Sequence, residues 1–383
     1  HTITALTARV HGYPVSQVVT TRLYTASPRT FVYVDYDDAR SITVTGCAVT
    51  RATRLIFAEC AAGASTPTTP TNTLLLMQVD TSGTVITAAV DRRNPFPMPL
   101  SSVAAGMVNV REYGATPNDG VDDSVAFQAA IDALPTAGGT VYLPRGVYNL
   151  ASTWRIVNRT SITLDGISSR IDSITQEYGT VLSYSGSSNG ILIDNDDGTI
   201  RTGYSLRNLT IKGNASASDC VLVRRATDIT LYNVYIHSCT AANVAGLAFD
   251  RVFSVWGFNL TLQNNSLGMR TVLGVGAYFQ NAAFVGGRIF QNSSSGIEMS
   301  GQGMSFIGID LEGQPVGISI SSQTGAFLSR GLTIIGNYFE ANTTMAMDIG
   351  TVGSTIGATI QSNNILMNTG TPTNVIRFTG REF

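Results

Sequence analysis

Charge is scarce in this chain. Only 13% of its 383 residues are Asp, Glu, Lys or Arg, and the formal net charge is −2. A nucleic-acid partner needs clustered Lys and Arg to neutralise phosphates, and no basic stripe exists to do so. No apolar run approaches the roughly 20 residues of a membrane-spanning helix, so neither nucleic acid nor membrane insertion is expected. The four cysteines, Cys47, Cys60, Cys220 and Cys239, are scattered and form no CxxC pair. That pattern indicates neither a zinc knuckle nor a disulfide scaffold, and the thiols are expected to be free and buried. No metal or cofactor is expected. The chain opens at His1 with neither Met nor a signal-like segment and is read as an excerpt of a longer polypeptide.

Glycine is plentiful, with 38 residues, and Ser, Thr and Asn accompany it. This composition suits short strands joined by tight turns. The length exceeds one compact core and favours either several domains or one elongated repetitive one. Residues 1–106 carry strand-like pieces at Phe31–Tyr36, Ser41–Gly46 and Gly83–Val90 around the low-complexity loop Ser65–Thr73. They read as a small β-rich domain closed by a proline-rich linker, Asn94–Leu100. Residues 107–383 read as a second domain.

That second domain opens with Val108–Leu150, VNVREYGATPNDGVDDSVAFQAAIDALPTAGGTVYLPRGVYNL. Phe127, Ala130, Ile131 and Leu134 fall at i, i+3, i+4 and i+7, the apolar stripe of one short helix. Asp122, Asp123 and Ser124 supply capping chemistry, so the cluster they make with Asp119 reads as structural. Pro135 ends the helix.

Beyond residue 200 the chain repeats. Lys212, His237, Gln263, Gln291, Glu312, Glu340 and Met367 follow one another at spacings of 25, 26, 28, 21, 28 and 27 residues. A period in the twenties without a helical pattern predicts a β-solenoid, whose rungs bury their apolar faces only by stacking. The column Ile211, Ile236, Leu262, Phe290, Leu311, Phe339, Leu366 is apolar throughout and is expected inside. Its flanking columns then face outward, one through the residues just numbered and the other through Thr210, Tyr235, Thr261, Ile289, Asp310, Tyr338 and Ile365. Asparagines at 214, 265, 292, 342 and 368 are expected at turns with left-handed backbone.

The Val108–Leu150 segment resembles the opening module of the pectate-lyase-like right-handed parallel β-helix superfamily, especially bacteriophage tailspikes and capsule depolymerases. In that family a phrase like NVREYGA, a DG turn, a DD-type cap, an AFQAAIDA helix and GGTVYLPRGVY open the solenoid, and the helix plugs its N-terminal end. The resemblance implies an all-β fold: a right-handed parallel β-helix with a short capping helix, preceded by the β-rich domain. It also implies a homotrimeric virion protein on the phage tail, bound to other tail proteins through its N-terminal part. Such a protein acts outside the cell on a bacterial surface polysaccharide.

Within this frame the pair GIDLEG, Gly308–Gly313, stands out. Asp310 and Glu312 share one strand face, and Glu340 stacks one rung away, about 4.8 Å on. Like charges so close raise a carboxyl pKa, which a glycosidase needs in its general acid. Glu312 with Glu340 suits a retaining hydrolase and Asp310 with Glu340 an inverting one, so Glu312, Glu340 and Asp310 are the catalytic candidates. Tyr235, His237, Gln263, Gln291 and Tyr338 extend the face as candidate sugar-binding residues. Outward Ile289, Tyr338, Ile365 and Met367 suggest that another subunit covers part of it.

Two rival readings remain open: a binding-only virion protein and a secreted polysaccharide lyase. The lyase would need a base, and its only basic candidates, Arg288 and Arg330, lie outside the aligned outward columns. Weaker motifs are the G-x-S-x-G at Gly186–Gly190, the acidic turn Asp194–Gly198, and His237 as a base.

Overall fold

The computed structural model describes strand segments between residues 2 and 91, then residues 106–169, 171–173, 176–177, 179–272, 278–320, 330–350, 356–366 and 375–378. The chain divides into two compact units, His1–Pro99 and Leu100–Phe383. The expected linker Asn94–Leu100, the strand Ser41–Gly46, most of the loop Ser65–Thr73, Met367 and Asn368 lie outside the described residues.

The first unit contains a five-stranded antiparallel sheet ordered Cys47–Ala52, Leu55–Cys60, Arg29–Asp35, Thr73–Ser82 and Val85–Asp91. Phe31, Tyr33, Ile56 and Ala58 alternate toward its buried side. Cys47 stands opposite Cys60 in the ladder, and the two form a disulfide. A second disulfide joins Cys220 to Cys239. The expectation of free thiols is therefore overturned, and no free cysteine remains among the described residues. Antiparallel register makes the first pair neighbours. The path along Val221–His237 brings Cys239 back to Cys220 within one coil and makes the second.

Among the described residues the second unit is built on a parallel sheet of 22 strands wound as a right-handed solenoid of about eight turns, with one antiparallel pair, Ile171–Ser173 and Gln176–Glu177, beside it. Each strand pairs with the one a coil later, as in Thr210, Tyr235 and Thr261. The helix Ser124–Ala133 caps its start, and Phe127, Ala130, Ile131 and Leu134 are all buried. Phe127 meets Tyr148 and Trp154 edge-on at 5.3 and 4.8 Å, and Trp154 Nε1 donates to the Phe127 carbonyl at 3.0 Å. Asp123 precedes the helix without capping it through its side chain. Its carboxylate instead accepts from the Thr116 and Asn149 amides, while Asp122 accepts from Ser124 and Ala151, so both tie the helix to the first coil.

Each coil turns at single left-handed residues. One corner runs through Asn208, Asn233, Asn259, Gly286, Gly308, Gly336 and Ser362, another through Ser238, Asn264, Gln291, Gly313 and Ala341. Glycine and asparagine tolerate this backbone at least cost. The second corner corrects the asparagine expectation, because the left-handed residue falls one position earlier. Asn265, Asn292 and Asn342 instead point inward, and each is 1% exposed. Asn265 Nδ2 donates to the Ile236 carbonyl, Asn292 Nδ2 to that of Leu262 and Asn342 Nδ2 to that of Leu311. Asn292 Oδ1 accepts from Asn265 N at 3.0 Å, so the column is a buried ladder that satisfies corner backbone from within.

The inward column is Ile211, Ile236, Leu262, Ile289, Leu311, Phe339 and Ile365. Two coils are therefore shifted by one residue from the sequence alignment. Gly286, not Gly287, occupies the corner matching Gly308, and Ser362, not Asn363, matches Gly336. Ile289 and Ile365 turn in. Phe290 and Leu366 turn out.

Candidate functional site

The one-residue shift changes the face that carries the carboxylates. Strands Phe279–Phe290, Asp310–Glu312, Tyr338–Glu340 and Asn364–Leu366 align there, so Arg288, Asp310, Tyr338 and Asn364 form one outward column. Phe290, Glu312, Glu340 and Leu366 form the other. Arg288, placed outside the outward columns by the sequence, stands within them.

Arg288 Nε meets Asp310 Oδ2 at 2.9 Å while its Nη2 donates to Glu312, and its guanidinium lies over the Phe290 ring at 4.2 Å. Tyr338 donates its hydroxyl to Glu340 Oε2 at 3.0 Å. Asp310, Glu312, Tyr338 and Glu340 are all half-buried. The Asp310 carboxyl titrates above its ordinary value. Burial is the main cause, Arg288 opposes it, and the charges of Glu312 and Glu340 add to the rise. Asp310 Oδ1 is buried and has no hydrogen-bond partner among the described residues. An ionised carboxylate leaves that oxygen as a buried, unsatisfied charged acceptor, whereas the neutral carboxyl is less costly to desolvate. Burial alone would lower the Arg288 pKa, but its hydrogen bond to Glu312 and the two carboxylate charges outweigh burial and raise it. Its hydrogen bond to Glu340, above all, raises the Tyr338 phenol.

The structure thus brings together Asp310, Glu312, Tyr338 and Glu340, and adds Arg288 and Phe290. It separates them from Tyr235, His237 and Gln263, which lie on earlier coils and are buried. Tyr235 stacks on the His237 ring at 4.8 Å and donates to Gln263, whose Nε2 donates to Gln291 Oε1 at 3.0 Å. The excursion after Gly166 sets Ser169 against Thr210 and Asn233, two residues from Tyr235. Gln291 is an exposed corner residue. Tyr235, His237 and Gln263 thus stand on the outward side of the sheet but are covered there, leaving little surface for a polymer among the described residues.

The weaker motifs resolve locally. Gly186–Gly190 is a turn leading into the strand Ile191–Asp194, with no helix after it. In the acidic turn, Asp194 pairs with Arg224 and Arg225, and Asp197 with Arg201. Among the described residues no group of three His, Cys, Asp or Glu is placed to hold a metal ion.

Comparison with known proteins gives a family. Residues 107–348 match the family described as Rhamnogalacturonase A/epimerase, pectate lyase-like. Mannuronan C5-epimerase AlgE6 of Azotobacter vinelandii is 34% identical over 113 residues, covering 28% of this chain and 12% of the epimerase. The chain spans only 3 to 22% of the length of the curated relatives it matches. Among solved structures, ORF18 of Geobacillus virus E2 covers 80% of this chain and 68% of its own, at 15% identity and a TM-score of 0.47. The enzymatically active domain of bacteriophage CBA120 tailspike protein 2 covers 74% of this chain and 45% of its own, at 15% identity and a TM-score of 0.45.

Proposed function

The chain belongs to the rhamnogalacturonase A/epimerase family of pectate-lyase-like proteins, and from that premise we propose that it is a bacteriophage tailspike that hydrolyses a bacterial surface polysaccharide. Membership supports action on a polysaccharide, and the tailspike-like opening module Val108–Leu150 supports the virion setting. In this reading residues 1–106 join the other tail proteins and residues 107–383 form the glycan-acting body. The protein is a homotrimer that works outside the cell, at the host surface.

The observation that carries hydrolysis is the contrast between two carboxyls on one face. Asp310 is desolvated, raised in pKa and left with an orphan oxygen, whereas Glu340 is held by the Tyr338 hydroxyl. Adjacent strands about 4.8 Å apart and a two-residue offset separate this diagonal pair by about 8 Å, within the inverting range. Asp310 protonates the departing glycosidic oxygen. Glu340, oriented by Tyr338, takes a proton from the attacking water on the opposite side of the ring. Glu312 neutralises Arg288 and positions it against Asp310. A lyase would need Arg288 to accept a proton, and two flanking carboxylates hold it charged.

The test is incubation of the purified chain with capsular and O-antigen polysaccharides, following fragment size, ultraviolet absorbance and anomeric configuration. Shorter fragments without a new double bond, inverted at the anomeric carbon, are expected. Asp310→Asn and Glu340→Gln should each slow release by about 10²- to 10⁴-fold. Absorbing fragments would establish a lyase, and intact bound polymer a binding protein.

A further inference from the structure

The sheet that precedes the carboxylate face across the Asn233 and Asn259 corner turns a different chemistry outward. Its register columns run Thr230, Trp256, Ala283, Ser305, Thr333 and Tyr232, Phe258, Val285, Ile307, Ile335. None of these ten residues is charged, Arg207 on the preceding coil, beside Tyr232, is paired with Asp165, and the large exposed rings gather on two coils. Tyr232 is 50% exposed, Trp256 45% and Phe258 37%. Tyr232 and Phe258 are direct register partners, and Trp256 stands on the same strand as Phe258 with its side chain on the same face. Amides edge the rings: Asn259 Nδ2 donates to Asn233 Oδ1, and Asn233 Nδ2 to Asn208 Oδ1, both at 3.2 Å.

Size decides between two classes of occupant. An aromatic side chain buries 150–250 Å² in all, so three half-exposed rings offer on the order of 300 Å². A stable protein interface needs about 800 Å² from each partner. The three rings by themselves fall well short of the area that a second copy of the chain would bury. A pyranose ring needs far less, because its C–H face packs on the negative face of one aromatic ring while its hydroxyls reach neighbouring amides and hydroxyls. We propose that Tyr232, Trp256 and Phe258 form a glycan-stacking platform that holds a neutral stretch of pyranose polymer two coils away from the carboxylates. The coil of Trp256 precedes that of Asp310 by two strand spacings, about 10 Å along the solenoid. The proposal takes its ligand class from the polysaccharide reading above but does not depend on cleavage.

Fluorescence gives a direct readout, because the chain has two tryptophans. Trp154 is 1% exposed and hydrogen-bonded beneath the cap, which leaves Trp256 as the exposed indole. The experiment titrates the full chain carrying Glu340→Gln, so that polymer stays intact, with a panel of purified capsular and O-antigen polysaccharides. A saturable blue shift of Trp256 emission is expected with the polymer that the protein retains. Trp256→Ala and Tyr232→Ala should each weaken retention about three- to tenfold with unchanged circular dichroism, and Trp256→Tyr should restore most of it. Retention indifferent to all three substitutions would overturn the platform, as would the absence of any shift or retention across the panel. A fall in oligomeric mass in the alanine variants without weaker retention would assign the face to a second copy instead. Retention through Trp256 by a wild-type chain that never cleaves would leave the platform standing and remove the hydrolase, and cleavage without Trp256 dependence would do the reverse.

Discussion

Arg288 and Asp310 stand opposite one another on adjacent coils, and the guanidinium that meets Asp310 at 2.9 Å also binds Glu312. One cation thus serves two carboxylates that share a strand face. Arg288 is exposed and Asp310 only half-buried, so water screens the pair and it contributes little to stability, about 0 to 1 kcal/mol. Its larger effect is on protonation.

Replacing Arg288 by Met removes the main influence holding the Asp310 pKa down and leaves Glu312 and Glu340 pushing it up. If Asp310 is the general acid, the alkaline limb of the cleavage profile should move to higher pH. Turnover measured across pH for both proteins checks this. Superimposable limbs would exclude Asp310 from the acid role.

Asp310 also affects stability. Its pKa is raised in the folded chain, so the folded state holds a proton that the unfolded state has released, and stability falls as pH rises from the unfolded value through the folded one. Asp310→Asn removes that penalty. The variant should melt at or above the wild type near neutrality, and the gap should close below the ordinary carboxylate range. Melting temperatures recorded from pH 3 to 8 decide it.

Asn292 ties its own coil to the preceding one through its contacts with Asn265 and the Leu262 carbonyl. Asn292→Leu keeps the volume but strands a buried amide and a buried carbonyl. The expected loss is about 2 to 6 kcal/mol by denaturant unfolding, at about 1 to 3 kcal/mol for each orphaned group. A loss within 0.5 kcal/mol would mean that the ladder is dispensable.

Phe127 seals the end of the solenoid against Tyr148 and Trp154, whose burial pushes the Tyr148 phenol up to about 12. Phe127→Ala should cost about 3 to 5 kcal/mol and redshift Trp154 emission as water reaches the cap. Unchanged emission would show that the cap collapses around the cavity.

The solenoid was legible because its evidence is repeated: seven apolar positions in one column, and a helix whose stripe and breakers agree. The site was legible in part. Asp310, Glu312 and Glu340 lie on coils whose corners carry a single glycine, Gly308 or Gly336, or follow one, and the sequence placed them together. Arg288 follows two glycines, Gly286 and Gly287, and anchoring on the wrong one moved it off the face. The Ile289–Phe290 pair could not correct the error, because either residue satisfies an apolar column. Tyr235 and His237 misled for another reason. Their strand positions face outward, but an excursion more than fifty residues earlier reaches that part of the sheet, which no local pattern reveals. The disulfides were hidden in the same way, since their partners meet only through register and coiling.

The Cys220–Cys239 bond has a mechanical consequence. A solenoid pulled from one end unwinds coil by coil, each released turn adding its contour to the extended chain. Here the bond closes the greater part of one turn, so its 19-residue separation cannot be paid out and about 65 Å of slack is withheld. Under tension that turn behaves as a closed ring, and peeling that begins at either terminus meets a link that yields only to reduction.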